Sequence, residues 1–279
     1  MNRILVPVDF SEHDDKVLQY AAVLAQKERA HLFVLHVYDP ADAGSRKKKK
    51  QPVPDPAIRE ERFARLEAIR SRIAATQNLE VSTLLFTGPV TVSILQAAKD
   101  YRADLILMRA SGNDQAPAGK AGGKSAAILR ASPVPVLIIP NEYQWVLPQK
   151  MIVAINNEKE NLGMLKPVFD MSHHFGAELS IFIFSKEEQE GSHIMADTQT
   201  IYNIRESLKR QYPHAAIGIV HLSGKDFTTT IKEYISKKKF DLLALITHHK
   251  SWIHHLGGKS MTQEIAGASA IPLLSINPE

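Results

Sequence analysis

The 279-residue chain contains no cysteine, so it has no disulfide framework, no thiolate metal site and no cysteine nucleophile. Long hydrophobic runs are missing as well. The longest, such as Leu105 to Met108 and Val134 to Ile139, fall far short of the roughly 20 apolar residues that cross a bilayer. No signal-like apolar region accumulates before the acidic stretch Glu12-His13-Asp14-Asp15, and a cytoplasmic protein is the expectation. There is little net charge: 34 Lys+Arg stand against 30 Asp+Glu, a formal +4. Split after Pro140, the chain carries 20 basic and 15 acidic residues before and 14 and 15 after, so the excess belongs to the first half. Arg46-Lys47-Lys48-Lys49-Lys50 accounts for it, since without this run +4 becomes −1. The run sits between Gly44-Ser45 and Pro52, Pro54 and Pro56, which reads as a solvated loop. With no aromatics nearby to stack on bases, nucleic acid is not an expected partner.

What is present is globular in composition, with 44% hydrophobic and 23% charged residues, and it repeats itself. Arg3 to Phe10 is answered by Lys150 to Asn157, and Ala30 to Val37 by Ala177 to Phe184, both at an offset of 147. Farther on, Gly88 pairs with Gly224 at 136. Ala103 to Leu107 pairs with Phe240 to Ala244, and Pro135 to Leu137 with Pro272 to Leu274, at 137. The second copy is about ten residues shorter between its second and third strands, where the first copy carries the basic loop. In the first copy, nearly continuous apolar runs at 3–8, 31–38, 79–86, 104–109 and 134–139 read as strands buried on both faces. Between them lie helical patterns. One covers 12–28 with Ser11 as its cap and Val17, Leu18, Ala21, Leu24 and Ala25 on its stripe. A second is marked by Ile58, Phe63, Leu66, Ile69 and Ile73; a third runs from Val92 to Ala98 and a fourth from Ser125 to Ala131. Alternating strands and helices imply right-handed crossovers and a parallel sheet covered on both faces. The expected fold class is α/β, two tandem doubly wound domains, spanning 1–142 and 149–279.

These residues resemble the universal stress protein family in its tandem form. The resemblance rests on Ile4-Leu5-Val6-Pro7-Val8-Asp9-Phe10-Ser11, Gly88-Pro89, Ala103-Asp104-Leu105-Ile106-Leu107-Met108 and Pro133-Val134-Pro135-Val136-Leu137, in this order and repeated once. It implies five-stranded parallel sheets of order 3-2-1-4-5, like those of adenine nucleotide alpha hydrolases, and a non-catalytic stress-response role. It also implies pairing through fifth-strand edges, as a homodimer or an intramolecular pseudo-dimer. Ligands of such sheets sit beyond the strands' carboxyl ends where the strand order reverses. That places Asp9 and the loop 110–123 at one crevice.

ATP-binding members carry Gly, two residues, Gly, nine residues, Gly and then Ser or Thr, because glycines let backbone N–H groups approach phosphate oxygens. In this chain Arg109 stands at the first glycine position, followed by Gly112, nine residues, Gly122, and Gly123 at the hydroxyl position. Lys124 and Ser125 follow directly and can replace the missing hydroxyl. Arg109 either blocks the crevice or adds a phosphate contact. The residues that the resemblance assigns to an adenine nucleotide, ATP or AMP, with or without Mg²⁺, are Pro7, Val8, Asp9, Val37, Met108, Arg109, Gly112, Gly122, Gly123, Lys124 and Ser125. Asp9 has a competing reading as a helix-capping acid. The second copy departs further, with Asn156 at the acidic position and Ile246, His249 and roughly Lys259-Ser260 at the glycine positions.

Two alternatives stay open: a nucleotide-independent interaction scaffold, and a slow ATPase using Lys124 and Ser125. Ala118 to Ser125 fits a relaxed phosphate-loop pattern, but eight residues (110–117) separate it from the preceding strand, unlike a P-loop enzyme. Nine of the 12 histidines lie in the second half, with pairs at His173-His174, His248-His249 and His254-His255. Adjacent side chains diverge, so solvated or loop roles are expected rather than a metal site. No catalytic constellation stands out.

Overall fold

A computed structural model describes residues 1–39, 56–110, 123–155, 162–186, 193–213, 216–246 and 270–277. The chain divides into two compact units, one ending at Trp145 and the other beginning at Val146. The basic run 46–50, Gly112, Gly122, Asn156 and the histidine pairs at 248–249 and 254–255 all lie outside the described residues.

In the first unit the strands are β1 (Arg3–Val8), β2 (His31–Tyr38), β3 (Val81–Thr87), β4 (Leu105–Arg109) and β5 (Val136–Ile139). They form a parallel sheet of order β3-β2-β1-β4-β5. The central strand explains the continuous apolar runs: Ile4, Leu5 and Val6 are fully buried because helices cover both faces. On one face α1 (Asp14–Glu28) packs with α2 (Pro56–Gln77); α3 (Val90–Asp100) packs with α4 (Gly123–Ala131).

The expected stripe of α1 is buried throughout, but the helix begins at Asp14 and Ser11 does not cap it. The Ser11 N–H instead donates to Asp9 Oδ1 at 3.0 Å, closing a short turn that uses the serine before the helix starts. The apolar stripe expected of α2 is corrected at one position. Phe63 is 50% exposed, while Leu66 and Ile73 are buried. The inward row follows 58, 62, 66, 69 and 73 at helical spacing, so Phe63 is turned away by one residue and Arg62 occupies the row in its place. Val92 in α3 is exposed for a similar reason, with Ile94, Ala97 and Ala98 turned inward.

The second unit repeats the plan with β6 (Lys150–Ile155), β7 (Glu178–Lys186), β8 (Ile217–Gly224), β9 (Leu242–Ile246) and β10 (Leu273–Ile276). Their order is β10-β9-β6-β7-β8, which is 3-2-1-4-5 read from the other edge. Its helices among the described residues are α5 (Lys166–Phe175), α6 (His193–Gln211) and α7 (Phe227–Lys238), with a 3₁₀ turn at Leu162–Leu165. Helices before β2, β4, β7 and β9 end on a left-handed residue, Arg29, Arg102, Gly176 and Lys239, a conformation that satisfies the last helical carbonyls before the chain enters a strand.

Candidate functional site

Strand order in the first unit reverses at β1, whose two neighbours, β2 and β4, send the chain onto opposite sides of the sheet. A cavity of about 390 Å³ opens there, within the size range of small-molecule sites. Pro7, Val8 and Asp9 from the end of β1 line it, as do Val37 from β2, Met108 and Arg109 from β4, and Lys124 from the first turn of α4. Gly123 opens α4, and a side chain there would meet open space. Ser125 is fully buried within α4 and is not part of the lining.

The charged groups are tied to one another. Arg109 Nη2 donates to Asp9 Oδ2 at 3.0 Å; Arg109 is 15% exposed and Asp9 62%. Burial tends to raise the Asp9 carboxyl, but hydrogen bonding by Ser11 and the Arg109 guanidinium outweigh it and hold the group below the ordinary carboxylate range. Asp14, at the start of α1, accepts the Asp9 backbone N–H through Oδ2 at 3.1 Å. Its burial, reinforced by the Asp9 charge, pushes its carboxyl up to about 6.

Sequence reasoning missed Asp14, His36 and Arg62, all of which line the cavity. His36 is buried on β2 opposite Val8, and its Nδ1 lies 2.9 Å from the Val8 carbonyl oxygen. A carbonyl only accepts, so Nδ1 carries the hydrogen and Nε2 of the neutral ring is left as an acceptor. Burial lowers the His36 pKa, and the nearby Arg62 and Arg65 act in the same direction. The His36 ring stacks on Phe10, with centroids 4.1 Å apart. Phe10 adopts φ 62, a strained value for a bulky residue, at the turn that leaves β1. Arg65 lies 4.4 Å and Arg62 5.7 Å from the Phe10 ring centroid, and Arg65 also donates to the Phe10 carbonyl at 3.3 Å. The signal for Arg62 in the sequence is its helical spacing from Ile58 and Leu66, which puts a cation on an apolar row.

Relatives match this architecture. The profile of the Universal stress protein family covers residues 1–140. The chain belongs to that family. A Thermus aquaticus protein described as a universal stress protein in the QAH/OAS sulfhydrylase 3′ region is 30% identical over 137 residues, 49% of this chain and 96% of its own. Among solved structures, a universal stress protein from Archaeoglobus fulgidus DSM 4304 superposes with a TM-score of 0.73 at 18% identity, covering 99% of this chain and 98% of its own. A functionally unknown protein from Pseudomonas aeruginosa PAO1 gives 0.68 at 14%, covering 100% and 93%. At such identities these likenesses speak to the fold. Membership makes the chain a protein of a stress-response family. Among the described residues, no helix is long and apolar enough to cross a membrane.

Proposed function

We propose that the first unit of this universal stress protein binds an adenine nucleotide, ATP or AMP, in the cavity at the ends of β1 and β4, and acts as a non-catalytic module responding to that ligand. One observation carries the reading: Lys124 in the first turn of α4 and Arg109 at the end of β4 line the same cavity as the Asp9 carboxylate. A helix N-terminus with two cations favours phosphate oxygens, and a carboxylate reaches hydroxyl or amino hydrogens. Asp9 is exposed enough for a ligand to meet it. Mg²⁺ enters this reading on the nucleotide's own phosphates. A cytoplasmic location and a homodimer belong to the same reading, and cell fractionation and light scattering test them.

Calorimetry with ATP, with and without Mg²⁺, tests binding. We expect saturable heat from the native protein and a clear loss of affinity in Lys124→Ala and Asp9→Ala. No heat at high micromolar ATP would sink the proposal. It would favour the second reading, a nucleotide-independent scaffold, for which the Asp9–Arg109 pair speaks because it already occupies the acid.

A further inference from the structure

Arg62 makes no ion pair among the described residues, whereas three arginines of its helix do. Arg65 pairs with Glu61, Arg70 with Glu67 and Arg72 with Asp15. Arg62 has Ile58 and Leu66 at four residues' distance and Arg59 and Arg65 at three, so no helical neighbour at those spacings offers it a carboxylate. Its side chain lines the cavity beside Asp9, Arg109 and Lys124. Its Nε is sealed from water with no hydrogen-bond partner among the described residues. A buried donor left unmade is costly, and on a charged group more so. The stack beneath it is held in place: Phe10 lies against His36, and Arg65, ion-paired and bonded to the Phe10 carbonyl, covers the same ring.

The chemistry of the missing partner follows. Guanidinium has five donors and no acceptor, in a planar fork that matches two oxygens of a phosphate. A neutral base edge leaves the guanidinium charge uncompensated, whereas a phosphate answers it. Resting on the nucleotide reading above, we propose that Arg62 is a ligand-binding residue of this cavity, delivering from α2 a contact to a phosphate group of the bound nucleotide. The expected ligand is therefore a phosphorylated nucleoside, and the unphosphorylated nucleoside binds without help from Arg62.

The test compares ATP, AMP and adenosine by calorimetry on the native protein, Arg62→Gln and Arg62→Lys. Loss of one charge-assisted contact predicts that Arg62→Gln weakens ATP at least about tenfold. Adenosine should change by less than about twofold, since it lacks the charge that a guanidinium senses. Arg62→Lys keeps the charge without the fork and is expected to fall between the two. Thermal melts of both variants separate binding from folding. Native protein that binds ATP while Arg62→Gln binds it equally well overturns this inference and leaves the nucleotide reading standing. Equal weakening of adenosine and ATP overturns it too, pointing to a base or packing contact. Native protein that binds none of the three overturns both.

Discussion

Arg109, the last residue of β4, places Nη2 3.0 Å from Oδ2 of Asp9, the residue after β1. The pair spans the crevice at which the strand order reverses, and it puts a cation where ATP-binding members of the family carry a glycine. A ligand that engages Asp9 must share or displace Arg109.

Removing that cation should change the acid more than the fold. Asp9 lies below its ordinary pKa, so it contributes stability above that pKa, and the contribution disappears as pH falls through the folded value. In Arg109→Gln the Asp9 titration is expected to move up, and stability at neutral pH to change by no more than about 1 kcal/mol, because Asp9, at 62% exposed, stays screened by water. Carboxyl-carbon NMR of Asp9 across pH 2–7 reads it; an unmoved titration would assign the depression to Ser11 alone.

Asp14 has the opposite sign. Its carboxyl is raised from 3.8 to about 6, so between these values the folded state holds a proton that the unfolded chain has released. Stability contributed by Asp14 is full below about 4 and falls as pH rises to 6. Asp14→Asn retains an acceptor for the Asp9 N–H and is expected to flatten that slope in urea titrations from pH 4 to 7. Parallel slopes in the two proteins would remove Asp14 as the cause.

The glycines that close the third strands, Gly88 and Gly224, occupy equivalent places for different reasons. Gly88 has φ +137 and an added Cβ would make only ordinary contact, 3.5 Å from Ser93 Oγ, so Gly88→Ala should cost about 1–3 kcal/mol as backbone strain. At Gly224 a Cβ would come 2.2 Å from Thr230 Oγ1, a steric conflict with a side chain. Chemical denaturation of double variants distinguishes them: Thr230→Ala should recover much of the Gly224→Ala loss, whereas Ser93→Ala should recover none of the Gly88→Ala loss.

Asp104 accepts the backbone N–H groups of Asn2 at 2.6 Å and Arg3 at 3.0 Å, and Asp241 accepts those of Gln149 and Lys150 at 2.8 and 2.9 Å. Each carboxylate ties the start of its unit's central strand to the strand beside it. Asp104→Ala and Asp241→Ala are each expected to cost about 1 kcal/mol and to speed amide exchange at the residues named, each in its own unit. Exchange that stays slow at Arg3 in Asp104→Ala would show that the strand ladder alone protects it.

Much of the fold could be read from the residues because its signals are local. Parallel strands covered on both faces need unbroken apolar runs, and Ile4 to Val6 and Met151 to Ile155 supply them. Offsets of 147 and 137 aligned the sequence of β1 with that of β6 and the sequence of β4 with that of β9 without any structure, because insertions collect in loops while strand lengths are held by the sheet. The helix stripe Val17, Leu18, Ala21, Leu24 and Ala25 was legible on the same grounds. Ser11 and Phe63 were misread because a cap and a helix face each depend on where the first turn begins, and a shift of one or two residues rotates every side chain by 100–200°.

By itself, then, the sequence determined the repeated α/β plan and the strand that ends at Asp9, both from periodicity and order along the chain. Only the tertiary structure decided that Asp9 is held by a residue 100 positions away, that Asp14 is buried beneath it, and that Arg62 replaces an apolar residue on the inner row of α2. The reason is physical. Pairing, burial and an unmet donor arise from the register in which distant elements pack, and no local pattern encodes that register.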